Sequence, residues 1–173
     1  WHPPTLDVDL GLVYVNTGNA VPMFGGMARK GDNLYTASIL ALDMKTGKAI
    51  WNQKFADWRD GYYATGAPII ANGVLISGMA GGESTTRGFL DGWDPETGKK
   101  LWRRYTIPSP GEAGSETWPK DNDAWMHGGG PTWRSGSYDP DLDLVYWGTG
   151  NAEPYDPRPR GSLDSLYTSS VLA

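Results

Sequence analysis

Five residues carry side chains or spacings that could do chemistry. Glu83 stands in SGMAGGESTTR, residues 77–87. Gly78, Gly81 and Gly82 beside it have no Cβ and let backbone approach a flat ligand closely. A carboxylate at that place presents hard oxygens to a cation. The same string also reads as a glycine-rich turn with a solvated acid. Asn151, in WGTGNAEP, offers an amide oxygen, a neutral ligand suited to Ca²⁺. It also reads as a turn residue after a strand, as Asn19 does in TGNAVP. Trp133 follows GGGPT; an indole face is either a floor for a planar ring system or a packing anchor among the nine Trp of the chain. Thr65 precedes Glu83 by 18 residues, and Trp133 precedes Asn151 by the same 18. Arg87 has the fork that pairs a carboxylate, with a structural role as the simpler reading.

Other chemistry is excluded. Asp139, Asp141 and Asp143 mimic the opening of an EF-hand loop, but its sixth position is Leu144 and its twelfth is Gly150. Gly128–Gly130 lack both phosphate-loop spacings. His2 and His127 are too few for a histidine metal site or a convincing triad. With no Cys, disulfide frameworks and thiolate sites are ruled out. A net charge of −5, from 20 acidic and 15 basic residues spread along the chain, argues against a nucleic-acid partner. No apolar run reaches the roughly 18 residues of a membrane span. The start, Trp1-His2-Pro3-Pro4, is expected to belong to a mature or truncated chain.

The elements that must position these residues are short strands. Twenty-four Gly and 13 Pro among 173 residues work against long helices, while 9 Trp, 9 Tyr and 3 Phe supply a core. Residues 6–41 lie over 138–173 at a constant offset of 132, with 18 identities in 36 positions and no gap, and Trp1 falls on Trp133. A shorter unit recurs as ALDMKTGKAIW (41–51) and GWDPETGKKLW (92–102). Asp-x-x-Thr-Gly closes a tight turn, with Asp and Thr bonding local backbone and Gly taking positive φ. Trp51 and Trp102 then return to dock on a neighbour. One third of the offset is about 44 residues, the size of a four-stranded propeller blade. The expectation is an all-β partial propeller of three to four blades, with units 6–51, 62–102 and 127–173. A long loop, about 103–126, is of the length that is usually functional.

The repeat ALDxxTGKxxW, with GVLISGMAGGESTTRGF, YTIPSPGEAGSETWP and GGGPTW…SYDPDLDLVYWGTGN, resembles the quinoprotein alcohol dehydrogenases of the methanol/ethanol family over about 36–173. Residues 1–35 instead resemble the TGN…GDNLYT blade of 149–168. The resemblance implies an eight-bladed propeller with pyrroloquinoline quinone and a Ca²⁺ or lanthanide ion on its axis. It implies Glu83 and Asn151 as metal ligands. Thr65, Ala80, Gly81, Gly82 and Trp133 would be cofactor-binding residues, Trp133 by stacking. Pro131 stands where the family commonly has Thr or another small residue, which removes a donor. A small alcohol would be the substrate, cytochrome c the electron acceptor and the periplasm the location. The family's catalytic Asp matches no residue of this chain, so no catalytic residue is assigned. The chain alone is expected to be inactive, and further blades or further copies would close the ring. The alternatives are a non-catalytic propeller scaffold that binds protein partners and, more weakly, a carbohydrate-binding β domain.

Overall fold

The computed structural model describes residues 3–21, 29 and 31–173; Trp1 and His2 lie outside that set. The described residues form three antiparallel sheets and no α-helix. The first sheet holds β1 (Thr5–Asp7), β2 (Leu12–Asn16), β3 (Ser38–Asp43) and β4 (Ala49–Lys54), each paired with the next. The second repeats the order with β5 (Ile69–Ala71), β6 (Val74–Gly78), β7 (Phe89–Trp93) and β8 (Lys100–Tyr105). The third has β9 (Ser137–Asp139), β10 (Leu144–Gly148) and β11 (Val171–Leu172).

The sequence repeat is a structural repeat. Asp7 pairs with Leu12, and Asp139 with Leu144; Asn16 pairs with Ile39, and Gly148 with Val171. Side-chain bonds repeat as well. The Thr17 hydroxyl donates to Ser38 O, and the Thr149 hydroxyl to Ser170 O. The Ser38 hydroxyl donates to Thr36 O and the Ser170 hydroxyl to Thr168 O, both at 2.8 Å.

The sheets pack face to face through the period-2 alternation of their strands. On β6, Leu75 enters a core with Tyr14, Ile39 and Ala41 of the first sheet, while Ile76 turns the other way onto Trp147 of the third. Phe89 and Leu90 of β7 divide in the same manner. The second sheet is therefore covered on both faces.

Each Asp-x-x-Thr-Gly turn closes on its own acid. Asp43 Oδ1 accepts from Thr46 N at 2.7 Å and from Thr46 Oγ1 at 2.6 Å; Asp94 repeats this with Thr97 at 2.8 Å for both. Those bonds hold both carboxyls below the usual carboxylate range. Gly47 and Gly98 take φ of +71°. Trp51 docks as its repeat suggests, onto the turn of the next sheet. Its indole N–H donates to Pro95 O at 3.1 Å, and a Cβ on Gly98 would stand 2.6 Å from its Cδ2. Trp102 lies across Gly92 of its own sheet and stays 39% exposed.

The expected loop begins at Thr106, because β8 runs on to Tyr105. Arg103 within β8 clamps the fully buried Asp91 at 2.7 and 2.6 Å and donates to Phe55 O, tying the second sheet to the first. The loop is ordered around its own small core of Ile107, Trp118 and Ala124. Arg87 anchors it: Nε donates to Ile107 O at 2.9 Å and Nη2 to Ser109 Oγ at 2.8 Å.

Candidate functional site

Three segments meet beside the sheets: the β6–β7 connection (79–88), the strip Gly128–Thr132 that precedes β9, and the start of the β10–β11 connection (149–153). The strip lies between the other two. On one side Gly129 N donates to Thr86 O at 2.9 Å and Gly88 N to Gly129 O at 2.8 Å. On the other, Gly130 N donates to Asn151 O at 2.9 Å and Gly150 N to Pro131 O at 2.8 Å. The connection bearing Glu83 and the one bearing Asn151 are thereby held on the two edges of one strip. Pro131 is the wedge between them. A Cβ on Gly82 would stand 2.7 Å from Pro131 Cγ, and one on Gly150 would stand 2.8 Å from it.

Glu83 is exposed on a single 3-10 turn, Gly82–Ser84. The Tyr63 hydroxyl donates a short hydrogen bond to its Oε1. Burial, with the Glu83 carboxylate beside it, pushes the Tyr63 hydroxyl up to about 12, so it remains a donor across the ordinary pH range. Tyr63 has no repeat or motif to mark it in the sequence. It arrives through an isolated bridge with Ala80, whose N donates to Tyr63 O at 2.7 Å.

Asn151 is exposed, and its amide is held at both protons' positions: Nδ2 lies 2.8 Å from Glu153 Oε1 and 3.2 Å from Ala152 O. Only the nitrogen end can donate to a carboxylate, so Oδ1 is the free end. No described residue donates to it.

Thr65 and Trp133, 68 residues apart, are bonded: Thr65 Oγ1 donates to Trp133 O at 2.8 Å. A second bond, Ser135 Oγ to Ala67 O at 2.8 Å, doubles the link. Trp133 is 41% exposed, with the Arg134 guanidinium 4.5 Å from its ring centroid. Thr132 beside it is fully buried. Its hydroxyl accepts from Met79 N at 2.9 Å and donates to Phe89 O at 2.6 Å, while its carbonyl accepts from Trp147 Nε1 at 3.2 Å.

Ala80, Gly81 and Gly82 are buried. Their smallness admits protein where the sequence reading placed a flat ligand against Gly78, Gly81 and Gly82. A Cβ on Gly81, at φ +106°, would stand 2.1 Å from Gly61 O, and one on Gly78 would stand 2.1 Å from Thr132 O. These glycines let the strip and the Asp57–Gly61 segment close onto the β6–β7 connection.

Asn19 holds the repeat position of Asn151 but a weaker version of its contacts: its amide lies 3.5 Å from Ala20 O. Arg87 pairs with Ile107 O and the Ser109 hydroxyl of the loop and lies 3.9 Å from the Glu112 carboxylate. Asp139 and Asp143 bind turn N–H groups and the Tyr138 hydroxyl. Among the described residues no three His, Cys, Asp or Glu side chains cluster as a metal site, and no helix is long and apolar enough to cross a membrane. A cation here would rest on one carboxylate, one amide oxygen and donors from outside these residues. Both are hard oxygens, and the amide oxygen is left free of protein donors, so each is suited in kind to a hard cation such as Ca²⁺ or a lanthanide.

Comparison with known proteins identifies the family. The model for the family "PQQ: Glucose/ethanol/alcohol dehydrogenase, beta-propeller domain" matches residues 1–57 and 53–173. The quinohemoprotein alcohol dehydrogenase ADH IIB of Pseudomonas putida is 40% identical over 96% of this chain, which covers 26% of that protein. The lanthanide-dependent methanol dehydrogenase of Methylacidiphilum fumariolicum is 35% identical over 78% of the chain and 25% of its own length. Among solved structures, the quinohemoprotein alcohol dehydrogenase ADHIIG of Pseudomonas putida aligns with a TM-score of 0.76 at 33% identity over 93% of the chain. A europium-containing methanol dehydrogenase aligns with a TM-score of 0.74 at 29% identity, again over 93% of the chain. The chain spans about a quarter of the length of these relatives.

Proposed function

Since the chain belongs to the PQQ-dependent glucose/ethanol/alcohol dehydrogenase β-propeller family, we propose that it forms one wall of a quinone and metal pocket in an alcohol dehydrogenase. Bound pyrroloquinoline quinone with Ca²⁺ or a lanthanide would supply the two-electron, two-proton oxidising chemistry that turns an alcohol into an aldehyde; the protein would supply position and field. In this reading Glu83 and Asn151 hold the ion. Tyr63 keeps the Glu83 carboxylate aimed by its hydrogen bond. Trp133 offers its open ring face to the quinone, and Thr65 both fixes the Trp133 backbone and lines the edge. Ala80, Gly81 and Gly82 shape the wall by letting the β6–β7 connection sit close to its neighbours. Cytochrome c as the electron acceptor and a periplasmic location belong to the same proposal.

The observation that carries this reading is the strip Gly128–Thr132. It brings connections 68 residues apart, with a carboxylate on one edge and a free amide oxygen on the other, next to an exposed indole that Thr65 secures. Turn chemistry and strand pairing do not by themselves require that meeting. The test is quinone retention by the full-length polypeptide, read from the quinone absorbance after gel filtration. Trp133→Ala is expected to lower retention at least tenfold with the melting temperature preserved. Equal retention by Trp133→Ala and the unaltered protein refutes the pocket.

A further inference from the structure

We infer that Glu153 is a positioning residue that locks the Asn151 amide with its oxygen turned outward as a cation ligand. The inference rests on the proposed metal role of Asn151 and adds a residue to it.

Glu153 is 4% exposed, an unusual place for a carboxylate, which is rarely buried without a partner. Its partner is the Asn151 amide at 2.8 Å, a hydrogen bond strengthened by the charge of the acceptor. Its backbone is fixed too, with Glu153 N donating to Gly128 O at 2.9 Å. Its stem fills the space beside Gly129: a Cβ there would stand 2.8 Å from Glu153 Cγ and 2.8 Å from Asn151 O. Gly129 also takes φ of +72°. The middle glycine of the triplet thus makes room for the acid and for the backbone that carries Asn151.

An isolated side-chain amide can rotate by half a turn and present either end. A carboxylate on one side removes that freedom, because it accepts from N–H₂ and repels the amide oxygen. The orienting partner of a metal ligand acts in this way, fixing the ligand's direction before the ion arrives.

The chain contains its own control. Asn19-Ala20-Val21 occupies the repeat position of Asn151-Ala152-Glu153. Val21 has no acceptor, and the Asn19 amide reaches only Ala20 O, at 3.5 Å. The backbone leading into both Asn residues repeats: Thr17 N donates to Ser38 O and Ala37 N to Gly18 O, as Thr149 N does to Ser170 O and Ser169 N to Gly150 O. What Glu153 adds at the second position is a carboxylate acceptor for the amide.

The experiment titrates the full-length polypeptide with Tb³⁺, read by tryptophan-sensitised luminescence, without quinone or substrate. Glu153→Met keeps the stem against Gly129 and removes the acceptor; Glu153→Val copies the first repeat and serves if Met disturbs folding. Either is expected to weaken Tb³⁺ binding by roughly 10–100-fold at an unchanged melting temperature. Glu153→Gln keeps an acceptor oxygen but adds an N–H₂ that can pair with Asn151 Oδ1, so it is expected to fall between Met and the unaltered protein. The inference is overturned if Met and Val bind Tb³⁺ within twofold of the unaltered protein. Asn151→Ala and Glu83→Ala separate the two levels. If neither weakens Tb³⁺ binding, the metal reading of Asn151 itself has failed. If both weaken it and Glu153→Met does not, only the positioning role has failed.

Discussion

Replacing Thr132 by Val tests whether the strip Gly128–Thr132 is held in place by a side chain and not by its backbone alone. Val matches Thr in shape, so the change removes a hydroxyl and leaves volume nearly constant. The Met79 N–H, which donates to that hydroxyl at 2.9 Å, loses its partner. An orphaned buried donor costs about 1–3 kcal/mol, and the lost bond to Phe89 O, 2.6 Å in the native protein, adds about 0.5–1.5 kcal/mol. The sum is roughly 2–4 kcal/mol. For a domain of this size that lowers the melting temperature by roughly 4–16 °C. Thr132→Ser keeps the hydroxyl and loses one methyl, worth about 1 kcal/mol. The assay is thermal unfolding followed by far-ultraviolet circular dichroism, with Val and Ser side by side. The expected order is native, then Ser, then Val. If Val melts within about 2 °C of the native protein, or Ser falls below Val, the hydroxyl does not hold the strip and the argument fails.

Two further outcomes follow from the packing. Gly98→Ala places a Cβ 2.6 Å from Trp51 Cδ2 at a residue with φ +71°, so it should destabilise by more than about 2 kcal/mol in denaturant titration; Gly47→Ala, with the same φ and open space around it, should cost only about 1 kcal/mol. Alkaline stability should fall between pH 10 and 12. Burial first, then nearby Asp7 and Asp94, pushes Tyr14 up to about 12, and Tyr63 is raised similarly, so over that window the unfolded chain releases protons that the folded one keeps. The contribution is intact below pH 10 and lost as pH rises through 12. Tyr14→Phe with Tyr63→Phe should flatten melting temperature against pH over that range, and an unchanged slope would contradict the assignment.

Much of the fold was legible because its signals are local. The offset of 132 reappears in the strand pairing, and the Asp-x-x-Thr-Gly turns close on the acids that the motif names. Trp51 docks onto the next turn. What stayed hidden depends on register between distant segments. Tyr63 reaches Glu83 through a bridge with Ala80 that no periodicity announces. Asp91 and Arg103 carry no motif that marks them as a pair, yet Arg103 clamps Asp91, which is fully buried because the second sheet is covered on both faces. The glycines around Glu83 read as room for a ligand and turn out to be room for Gly61, Pro131 and Thr132. A missing Cβ is visible in sequence, but the group that occupies its space is not.

The comparison of Asn19 with Asn151 shows where that limit lies. Their shared repeat position makes them equal in turn chemistry, and the backbone bonds that lead into them, at Thr17 and Gly18 and at Thr149 and Gly150, repeat. They differ at one position two residues on, Val21 against Glu153. In sequence Glu153 is one of 20 acidic residues and no motif marks it. It acquires meaning only when Gly129, 24 positions earlier, is seen to hold the space its stem fills. Conformation in this chain is encoded locally by the repeat, whereas the orientation of the Asn151 amide is encoded by a contact between the glycine strip and a departure from the repeat. The residues that break the internal symmetry of 6–41 and 138–173 are therefore the ones to test for function, ahead of those that maintain it.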